Sequence, residues 1–377
     1  MNERPPVDPL GLNVPRVESP FLETFLRGCD WTEQEQEHAR AFARDGYLVV
    51  DLELDDFDAL AETIDAELAS KFPPDDRRVG EAWYFSDSVR RIATCPSLLR
   101  LLTKLYGRRA FPFQTLNFDA GTQQPAHSDT LHFHCHPQRF MCGVWVALED
   151  VRPGTGELFV HPGSHRLPVL DMFDLGLPSS TEAYFQYEDL SEQMLAELGF
   201  ARHPVVLKKG QCVIWAANLY HGGMPILEAG STRKSQVTHY YFDDCTYYFP
   251  MSSDPHSGDL CVREVVDLER GAVVPHRLRG HEVPQEDFRT VMSYPRPLPE
   301  WVDGSLPERP ASEPEDAEHL QRRLKLLEET AADLRGQNEE WKARVSTVEA
   351  QLHELWSSRA FKLVHGVQKT WRGLFGR

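Results

Sequence analysis

The sequence predicts a mainly β fold with flanking helices, in which a double-stranded β-helix (jelly roll) is followed by a C-terminal coiled coil. Short β-rich runs separated by glycine, proline and Asp/Asn occupy roughly residues 110–250. This rhythm is typical of a double-sheeted β domain. An apolar heptad pattern follows near the C-terminus. Together the patterns predict a jelly-roll domain over 1–295, a linker over 296–315, a coiled coil over 316–358 and a tail over 359–377.

The composition is that of a folded, acidic protein. Apolar residues make up 41% of the 377 residues, which is enough for a sizeable core. The formal net charge of -18 repels polyanions, so we expect no nucleic-acid partner. We find no apolar run long enough to span a membrane and no signal peptide, and we therefore expect a cytoplasmic protein. The seven scattered cysteines include no CxxC pair, which predicts reduced thiols.

An amphipathic helix precedes the β-rich region. Thr32 to Glu35 has the form of a capping box, and Gly46 ends the amphipathic stretch. A strand over roughly Tyr47–Asp51 should follow.

Five β-rich runs then supply the strands of the predicted jelly roll. They are FPFQTLNF, FMCGVWVAL, GELFVHP, QCVIWA and SQVTHYYF. Residues 168–207 interrupt them and contain the more helical SEQMLAELGF. We expect an insertion over the mouth of the barrel, where insertions often act as lids.

The C-terminal region predicts a stiff linker and a dimer. Six prolines interleaved with acidic residues lie between Pro295 and Pro314. From Leu320 to Leu355 apolar positions alternate spacings of four and three, with Asn338 at an a position. Such a pattern favours a parallel two-stranded coiled coil, and hence a homodimer. A single amphipathic surface helix is the alternative.

The last nineteen residues, 359–377, carry five Lys/Arg and no acid, with apolar residues on one side. This pattern is typical of a helix on an anionic membrane surface. Packing on a partner or on the same chain is an equal alternative. The tail thus predicts either peripheral membrane contact or packing on protein.

Three residues predict a metal site. His127 and Asp129 follow a strand and a glycine-containing turn, and their two-residue spacing on an extended segment directs both to one face. His221 ends the run QCVIWAANLYH, as expected for a neighbouring strand. Two imidazoles and a carboxylate form the facial triad of non-haem Fe(II) oxygenases, which leaves sites open for a keto acid and dioxygen. A zinc site with the same three residues is the alternative.

An arginine lies close to the third ligand in sequence. Arg233, twelve residues after His221, begins the next β-rich run, where its guanidinium could hold a carboxylate bidentately. On its own such an arginine is an ordinary surface charge. The metal triad gives it a candidate role.

In these residues the chain resembles the phytanoyl-CoA dioxygenase family. The resemblance covers roughly 40–250 and rests on DGYLVV, AHSDTLHF, MCGVWVALEDVRPGTGELFVHPGSHR and YHGG with its following TRKS. It implies a dioxygenase that uses Fe(II), 2-oxoglutarate and dioxygen. By this resemblance His127, Asp129 and His221 bind iron. Arg233 binds the C5 carboxylate of 2-oxoglutarate, and Asn117 contacts the same cosubstrate.

The resemblance also shows a departure from the family pattern. A serine two residues after the distal histidine is common in the family, whereas this chain has Gly223. Lys234 and Ser235 are candidates to replace its hydrogen bond. Because related halogenases lack the acidic ligand, the presence of Asp129 favours hydroxylation over halogenation, with epimerisation or desaturation as further outcomes.

Other residues near the motifs have two interpretations each. Trp145 lines the floor of the cavity or is ordinary core. The histidines of the HFHCH segment face the substrate or are structural, and those of the HPGSH turn fix the loop. They are, in order, His132, His134, His136, His161 and His165.

The sequence does not point to a CoA ester as substrate. Such a ligand needs a basic cleft, and residues 114–165 offer Arg139 and Arg152 alone. We expect a small molecule or a glycan- or lipid-linked precursor, since SSRAFKLVHGVQKTWR is similar to tails on enzymes of bacterial surface-glycan assembly. The alternative is a catalytically inactive jelly-roll scaffold assembled by its coiled coil. The intact metal ligands weigh against that alternative.

Overall fold

The computed structural model describes residues 12–73, 76–254, 259–278, 280–288, 290–303 and 346–347. The chain forms two compact units, Met1–Glu308 and Arg309–Arg377. In the second unit the described residues are Ser346 and Thr347, which are helical. The predicted coiled coil and basic tail therefore lie outside the described residues.

Six α-helices and seventeen strands, most of them short, make up the described part of the first unit. The helices are α1 Leu22–Gly28, α2 Glu33–Asp45, α3 Phe57–Leu68, α4 Asp87–Ala93, α5 Pro96–Tyr106 and α6 Tyr184–Glu197. The first ten strands are β1 Tyr47–Asp51, β2 Arg78–Gly80, β3 Ala110–Phe118, β4 His134–His136, β5 Met141–Ala147, β6 Leu158–Val160, β7 His203–Val205, β8 Gln211–Ala216, β9 His221–Gly223 and β10 Ser235–Phe242. The others are β11 Thr246–Tyr248, β12 Cys261–Arg263, β13 Val266–Asp267, β14 Ala272–Val273, β15 His276–Leu278, β16 His281–Val283 and β17 Thr290–Met292.

Three sheets position the candidate site. The largest is antiparallel and has the order β1-β8-β5-β10-β3-β2. A three-stranded sheet has the order β7-β6-β9, and a four-stranded sheet has the order β17-β12-β11-β4. In the large sheet Val237 of β10 pairs with Trp145 of β5 on one side and Leu116 of β3 on the other.

The large sheet is buried on both faces. Because successive side chains of a strand point to opposite faces, each strand contributes residues to two separate hydrophobic cores. On one face Val144 and Ile214 pack with residues of the helices in the main hydrophobic core. On the other face Trp145 and Trp215 pack with Leu158 of the three-stranded sheet. The predicted mainly β fold with flanking helices is confirmed, and two sheets enclosing a common core is the arrangement of a jelly roll.

The predicted first helix and strand are confirmed. The Thr32 side chain accepts from the backbone of Glu35, and the Glu35 side chain accepts from the backbone of Thr32, so the capping box is formed. Gly46 ends α2 with a φ of 82°, and a Cβ there would lie 2.4 Å from Nδ1 of His165. Only glycine combines that conformation with so close a neighbour.

The insertion packs against the segment that carries two of the candidate ligands. Within 168–207 the structure forms α6 and β7. The side chain of Glu192 accepts from the backbone N–H of Ala126 at 2.9 Å, and the hydroxyl of Tyr187 accepts from that of Ser128 at 2.9 Å. Helix α6 therefore fixes the backbone on either side of His127.

The first unit continues past the predicted boundary at 295. The ring of Trp301 packs edge-on against Trp83 with centroids 5.6 Å apart, and Val302 is buried in the main core. Proline-rich sequence alone did not mark the end of the packed domain. All seven cysteines are free thiols, as predicted. No helix among the described residues is long and apolar enough to cross a membrane.

Candidate metal centre

The two candidate histidine ligands are joined by their backbones. The N–H of His127 donates to the carbonyl of His221 at 3.0 Å, and the N–H of His221 donates to the carbonyl of His127 at 3.0 Å. This reciprocal antiparallel pair places the two imidazoles side by side, with ring centroids 4.5 Å apart. The predicted neighbouring-strand relationship between the two histidines is therefore present.

The side chains of His127, Asp129 and His221 converge. Asp129 Oδ1 lies 4.0 Å from His127 Nε2 and 3.8 Å from His221 Nε2, and the three ligand atoms lie within 4.8 Å of one another. Two ligand atoms of a facial triad, each about 2.1 Å from one ion and about 90° apart, lie about 3.0 Å from each other. The ligand atoms would therefore close by about 1 Å or more to hold a metal ion.

Backbone carbonyls set the tautomer of both histidines. His127 Nδ1–H donates to the carbonyl of Pro125 at 3.0 Å, and His221 Nδ1–H donates to that of Leu219 at 3.0 Å. The Nε2 lone pairs are then free for a metal. Burial, followed by the neighbouring His221, lowers the pKa of His127 to about 3. The imidazole of His127 is therefore neutral at physiological pH.

The Asp129 carboxylate has one oxygen engaged and one free. Trp215 Nε1–H donates to Oδ2 at 2.7 Å, and His239 Nε2 lies 3.5 Å from the same oxygen. Burial alone would raise the pKa of Asp129, but His221, His239 and His127 outweigh it and hold the pKa well below its ordinary value. Oδ1 is thus an ionised, single-oxygen ligand directed at the two histidines.

These ligands line a cavity between the large and the three-stranded sheet. Its walls combine apolar side chains with a few polar groups: Leu116, Phe118, Thr122, Gln124, His127, Asp129, Trp145, Leu158, Trp215, His221, Gly222, Gly223, Arg233, Val237 and His239. A mostly apolar pocket with a few converging polar groups is typical of small-molecule sites.

Arg233 is a buried cation in this cavity. It is 3% exposed, its Nη2 donates to the carbonyl of Ala120 at 3.3 Å, and its buried Nε has no hydrogen-bond partner. Burial lowers the pKa of Arg233 to about 10, which leaves it protonated at neutral pH. Among the residues that the structure describes it forms no ion pair, so an anionic ligand would satisfy it.

Trp145 lines the same cavity, as one of its two interpretations predicted. The Arg233 guanidinium lies 5.1 Å from the centroid of its ring. The indole Nε1–H is buried and has no hydrogen-bond partner. Trp145 therefore offers a second unpaired donor next to Arg233.

The structure does not bring Asn117 to the metal ligands. Its neighbours on β3, Leu116 and Phe118, line the metal cavity, whereas Asn117 lies on the opposite face of the strand, in a depression beside α3. There its Nδ2 donates to Oε1 of Gln236 at 3.4 Å. The structure thus does not place Asn117 among the residues that line the metal cavity, because side chains alternate along a strand.

The family can now be assigned. The model of the phytanoyl-CoA dioxygenase (PhyH) family matches residues 33–235, more than half of the chain. The chain belongs to this family. The peroxisomal phytanoyl-CoA dioxygenase of Bos taurus is 24% identical over 215 residues, covering 53% of this chain and 60% of the relative. The Homo sapiens protein of the same description is 23% identical and covers 47% of this chain and 54% of the relative. The match therefore spans at most three fifths of these relatives.

Two solved structures are also similar. The epimerase SnoN in complex with Fe3+, α-ketoglutarate and nogalamycin RO is 23% identical, with a TM-score of 0.47, and the alignment covers 57% of this chain and 86% of that one. EctD of S. alaskensis with 2-oxoglutarate and 5-hydroxyectoine is 21% identical, with a TM-score of 0.44, and the coverage is 57% and 79%.

This member of the phytanoyl-CoA dioxygenase family has no room for a side chain at Gly223. A Cβ there would lie 2.9 Å from the backbone nitrogen of Gln123 and 3.2 Å from that of Gln124. The predicted substitutes do not reach the cavity, since Lys234 Nζ pairs with Asp65 at 2.7 Å and Ser235 lines the depression beside α3. The backbone of Gln123 and Gln124 therefore occupies the space that a serine side chain would need at position 223.

The histidines of the HFHCH and HPGSH segments do not line the metal cavity. The ring of His132 lies between those of Tyr184, at 5.0 Å, and His127, at 6.4 Å. His134 is buried and hydrogen-bonded to the Tyr248 hydroxyl. His161 and His165 donate to the carbonyls of Phe200 and Ala43, which holds the HPGSH turn in place as predicted.

Sequence reasoning missed two residues that contact Asp129. Trp215 belongs to the run QCVIWA and His239 to SQVTHYYF, both of which were interpreted as strands alone. Because side chains alternate along a strand, Trp215 shares a face of its strand with Val213, which packs towards the three-stranded sheet. His239 likewise shares a face with Val237, which lines the cavity. The available signal for both residues was a side chain with a polar nitrogen on the strand face that packs into the core.

Proposed function

We propose that this chain is an Fe(II)- and 2-oxoglutarate-dependent dioxygenase that hydroxylates a C–H bond of its substrate. The convergence of His127, Asp129 and His221 carries the proposal. The unpaired guanidinium of Arg233 in the same cavity supports 2-oxoglutarate as the cosubstrate. Membership of the phytanoyl-CoA dioxygenase family agrees with both.

The donor set fits Fe(II). Nε2 of His127, Nε2 of His221 and Oδ1 of Asp129 would hold the ion, and two imidazoles with one carboxylate are the donor set of non-haem Fe(II) oxygenases. Bound there with 2-oxoglutarate and dioxygen, Fe(II) supplies oxidation of an unactivated C–H bond coupled to decarboxylation of the keto acid to succinate. Trp215 and His239 hold Asp129 Oδ2, so the carboxylate presents Oδ1.

Two groups are available for the cosubstrate besides the metal. Arg233 would bind the distal carboxylate of 2-oxoglutarate, and the Trp145 indole N–H would donate a hydrogen bond to the same molecule. Leu116, Phe118 and Leu158 provide apolar walls for its methylene groups. The presence of Asp129 supports hydroxylation over halogenation, because the acidic ligand occupies the position that a halide would need.

The substrate that we propose is a small molecule or a glycan- or lipid-linked precursor. The two arginines of residues 114–165 are both paired with acids. Arg139 Nη1 lies 2.8 Å from Glu18 and Arg152 Nη2 lies 3.2 Å from Glu228. A polyphosphate group would therefore find neither cation free.

Turnover tests this function. Anaerobic Fe(II) protein should develop a visible charge-transfer band with 2-oxoglutarate and form succinate when oxygen is admitted. His127→Ala should lose both signals, while the exposed His203→Ala serves as the matched control. If His127→Ala binds iron and 2-oxoglutarate as well as wild type does, the site assignment is wrong.

We also propose a homodimer through the predicted parallel coiled coil, and peripheral membrane contact through the basic tail. Both segments lie outside the described residues and rest on the heptad pattern and the charge pattern alone. Flotation of the intact protein with vesicles, with and without anionic lipid, tests the tail. A lack of lipid dependence would favour packing on protein.

A further inference from the structure

Arg263, at the end of β12, has an unusual environment for a partly buried arginine. Its Nε is buried and has no hydrogen-bond partner. The other partly buried arginines in the described part of the chain have polar partners, as Arg109 has with Asp267 and Arg139 with Glu18. Burying the Nε–H without a hydrogen-bond partner costs free energy, which an anionic ligand on the guanidinium would offset.

The guanidinium of Arg263 is connected to the candidate metal centre through aromatic side chains. Its Cζ is 4.8 Å from the ring centroid of Phe133. The Phe133 ring lies 4.5 Å from that of His239, whose Nε2 is 3.5 Å from Asp129 Oδ2. Two ring contacts therefore separate Arg263 from a residue that touches a metal ligand.

Strand alternation places Arg263 on the side of β12 that faces this centre. Cys261, two residues earlier, packs in one apolar cluster with Leu131. Leu131 belongs to the single turn of 3-10 helix that Asp129 begins. Arg263 thus projects from β12 on the side where the segment carrying Asp129 lies.

Glu81, a buried acid whose pKa the charge of Arg263 lowers, does not neutralise Arg263. The carboxylate of Glu81 accepts from the Trp83 indole and, at 3.4 Å, from the backbone N–H of Thr115, but it forms no ion pair with Arg263. Burial raises the pKa of Glu81 to about 7, although Trp83 and Arg263 act in the opposite direction. At neutral pH Glu81 is therefore only partly charged.

The charge of Arg263 also acts on His132, three residues after Asp129. Burial lowers the pKa of His132 to about 4, with Asp129 acting to raise it and His239, Arg263 and Arg78 acting to lower it. Arg78 is exposed and pairs with Asp76 at 3.1 Å. Arg263 is thus the unpaired cation of this group.

We propose that Arg263 binds an anionic group of the substrate, a carboxylate or a phosphate monoester, and so determines which substrates reach the metal. Stacked on Phe133, a planar guanidinium keeps its N–H edge free for bidentate recognition of such a group. This assignment rests on the proposed oxygenase function and is separate from Arg233, which serves the cosubstrate.

Small probes test the proposal on the full-length chain. The protein is loaded with Mn(II) and saturated with 2-oxoglutarate, so that Arg233 is occupied. Phenyl phosphate, benzoate and the neutral benzyl alcohol are then titrated by calorimetry at constant ionic strength. We expect at least one anionic probe to bind about 10-fold or more tighter than benzyl alcohol.

Variants assign the binding to Arg263. Arg263→Gln should weaken the anionic probe about 10- to 100-fold, whereas Arg263→Lys should retain part of the affinity because it keeps the charge without the planar fork. Arg152→Gln, at an exposed ion pair, is the matched control and should bind as wild type does. A preference for phenyl phosphate or for benzoate identifies the phosphate or the carboxylate.

Three results would overturn the assignment: no anionic probe binds, all three probes bind alike, or Arg263→Gln binds like wild type. If Arg263→Gln does not fold, Arg263→Lys and the comparison of probes on wild type decide the matter. Failure of the oxygenase function is distinguishable, because it removes the charge-transfer band of the wild-type Fe(II) protein with 2-oxoglutarate. Failure of the Arg263 assignment leaves that band intact.

Discussion

The indole N–H of Trp215 donates a 2.7 Å hydrogen bond to Oδ2 of Asp129. Both side chains are buried, and the Trp215 ring also lies 4.7 Å from that of His221. One tryptophan therefore contacts two of the three candidate ligands. Because it engages Oδ2, it determines which oxygen of Asp129 faces the histidines.

Replacing Trp215 by phenylalanine should weaken metal binding about 10- to 100-fold, because the carboxylate loses the donor that orients it. Competition between the protein and a chelator for Mn(II) measures the effect. Trp31→Phe, in a partly buried ring remote from the cluster, is the control. Unchanged Mn(II) affinity in Trp215→Phe would show that the hydrogen bond does not support the ligand.

Replacing Arg233 by glutamine should reduce 2-oxoglutarate affinity at least about 10-fold and leave Mn(II) affinity unchanged. Without cosubstrate the melting temperature should hold or rise, since a buried unpaired charge is removed. The increase in melting temperature that 2-oxoglutarate gives to wild type should disappear. An undiminished increase in the variant would exclude Arg233 from the cosubstrate site.

Restoring the family's serine at Gly223 should destabilise the protein by about 1–3 kcal/mol, because the new Cβ meets the backbone of Gln123 and Gln124. It should also displace that segment and weaken 2-oxoglutarate binding. Gly28→Ser is the control, since a Cβ at Gly28 meets nothing within 4 Å. Denaturant unfolding measures both variants, and equal stability would contradict the steric account.

Stability should fall as the pH drops from 6.5 towards 4. Burial lowers the pKa values of five histidines to about 3 or 4: His127, His132, His134, His165 and His276. The unfolded chain takes up these protons near pH 6.5 while the native protein does not, so each histidine can remove up to about 1.4 kcal/mol per pH unit.

Urea unfolding of the metal-free protein between pH 7.5 and 5 measures this dependence. His276→Gln should reduce the slope by up to one proton, because the pKa of His276 is lowered by burial. The exposed His203→Gln is the control. A free energy of unfolding that does not change with pH over this range would contradict the prediction.

Deleting the residues after Pro314 should convert a dimer into a monomer, because the heptad pattern from Leu320 to Leu355 is removed. Light scattering gives the mass of each form, and the charge-transfer band with Fe(II) and 2-oxoglutarate checks that the metal site is intact. An equal number of subunits in both forms would exclude the coiled coil as the dimer contact.

Local signals in the sequence were enough to predict helix α2 and the strand that follows it. Helix α2 begins after Thr32 and ends at Gly46 as predicted, because a capping box and a left-handed glycine act within one turn of the chain. The strand over Tyr47–Asp51 was also found as predicted. Alternation and turn residues likewise indicated the five main β-rich runs.

The orientation of β3 could not be read from its sequence. Residues 114–118 alternate between half-buried and buried, but both faces of β3 are covered by other elements. The apolar pattern of FPFQTLNF therefore did not mark which residues face the cavity, and the cosubstrate contact of Asn117 was predicted from the resemblance alone. The end of the packed domain was similarly hidden, since Trp301 reaches Trp83 across more than two hundred residues.

By itself the sequence determined the three candidate metal ligands, because His127 and Asp129 share a short motif and His221 ends a recognisable strand. Only the tertiary structure decided what surrounds them. Trp215 and His239 meet Asp129, and Arg263 meets Phe133, through strands that are distant in sequence and adjacent in space. Which strands become neighbours depends on packing over the whole domain, and that information is not contained in any local pattern.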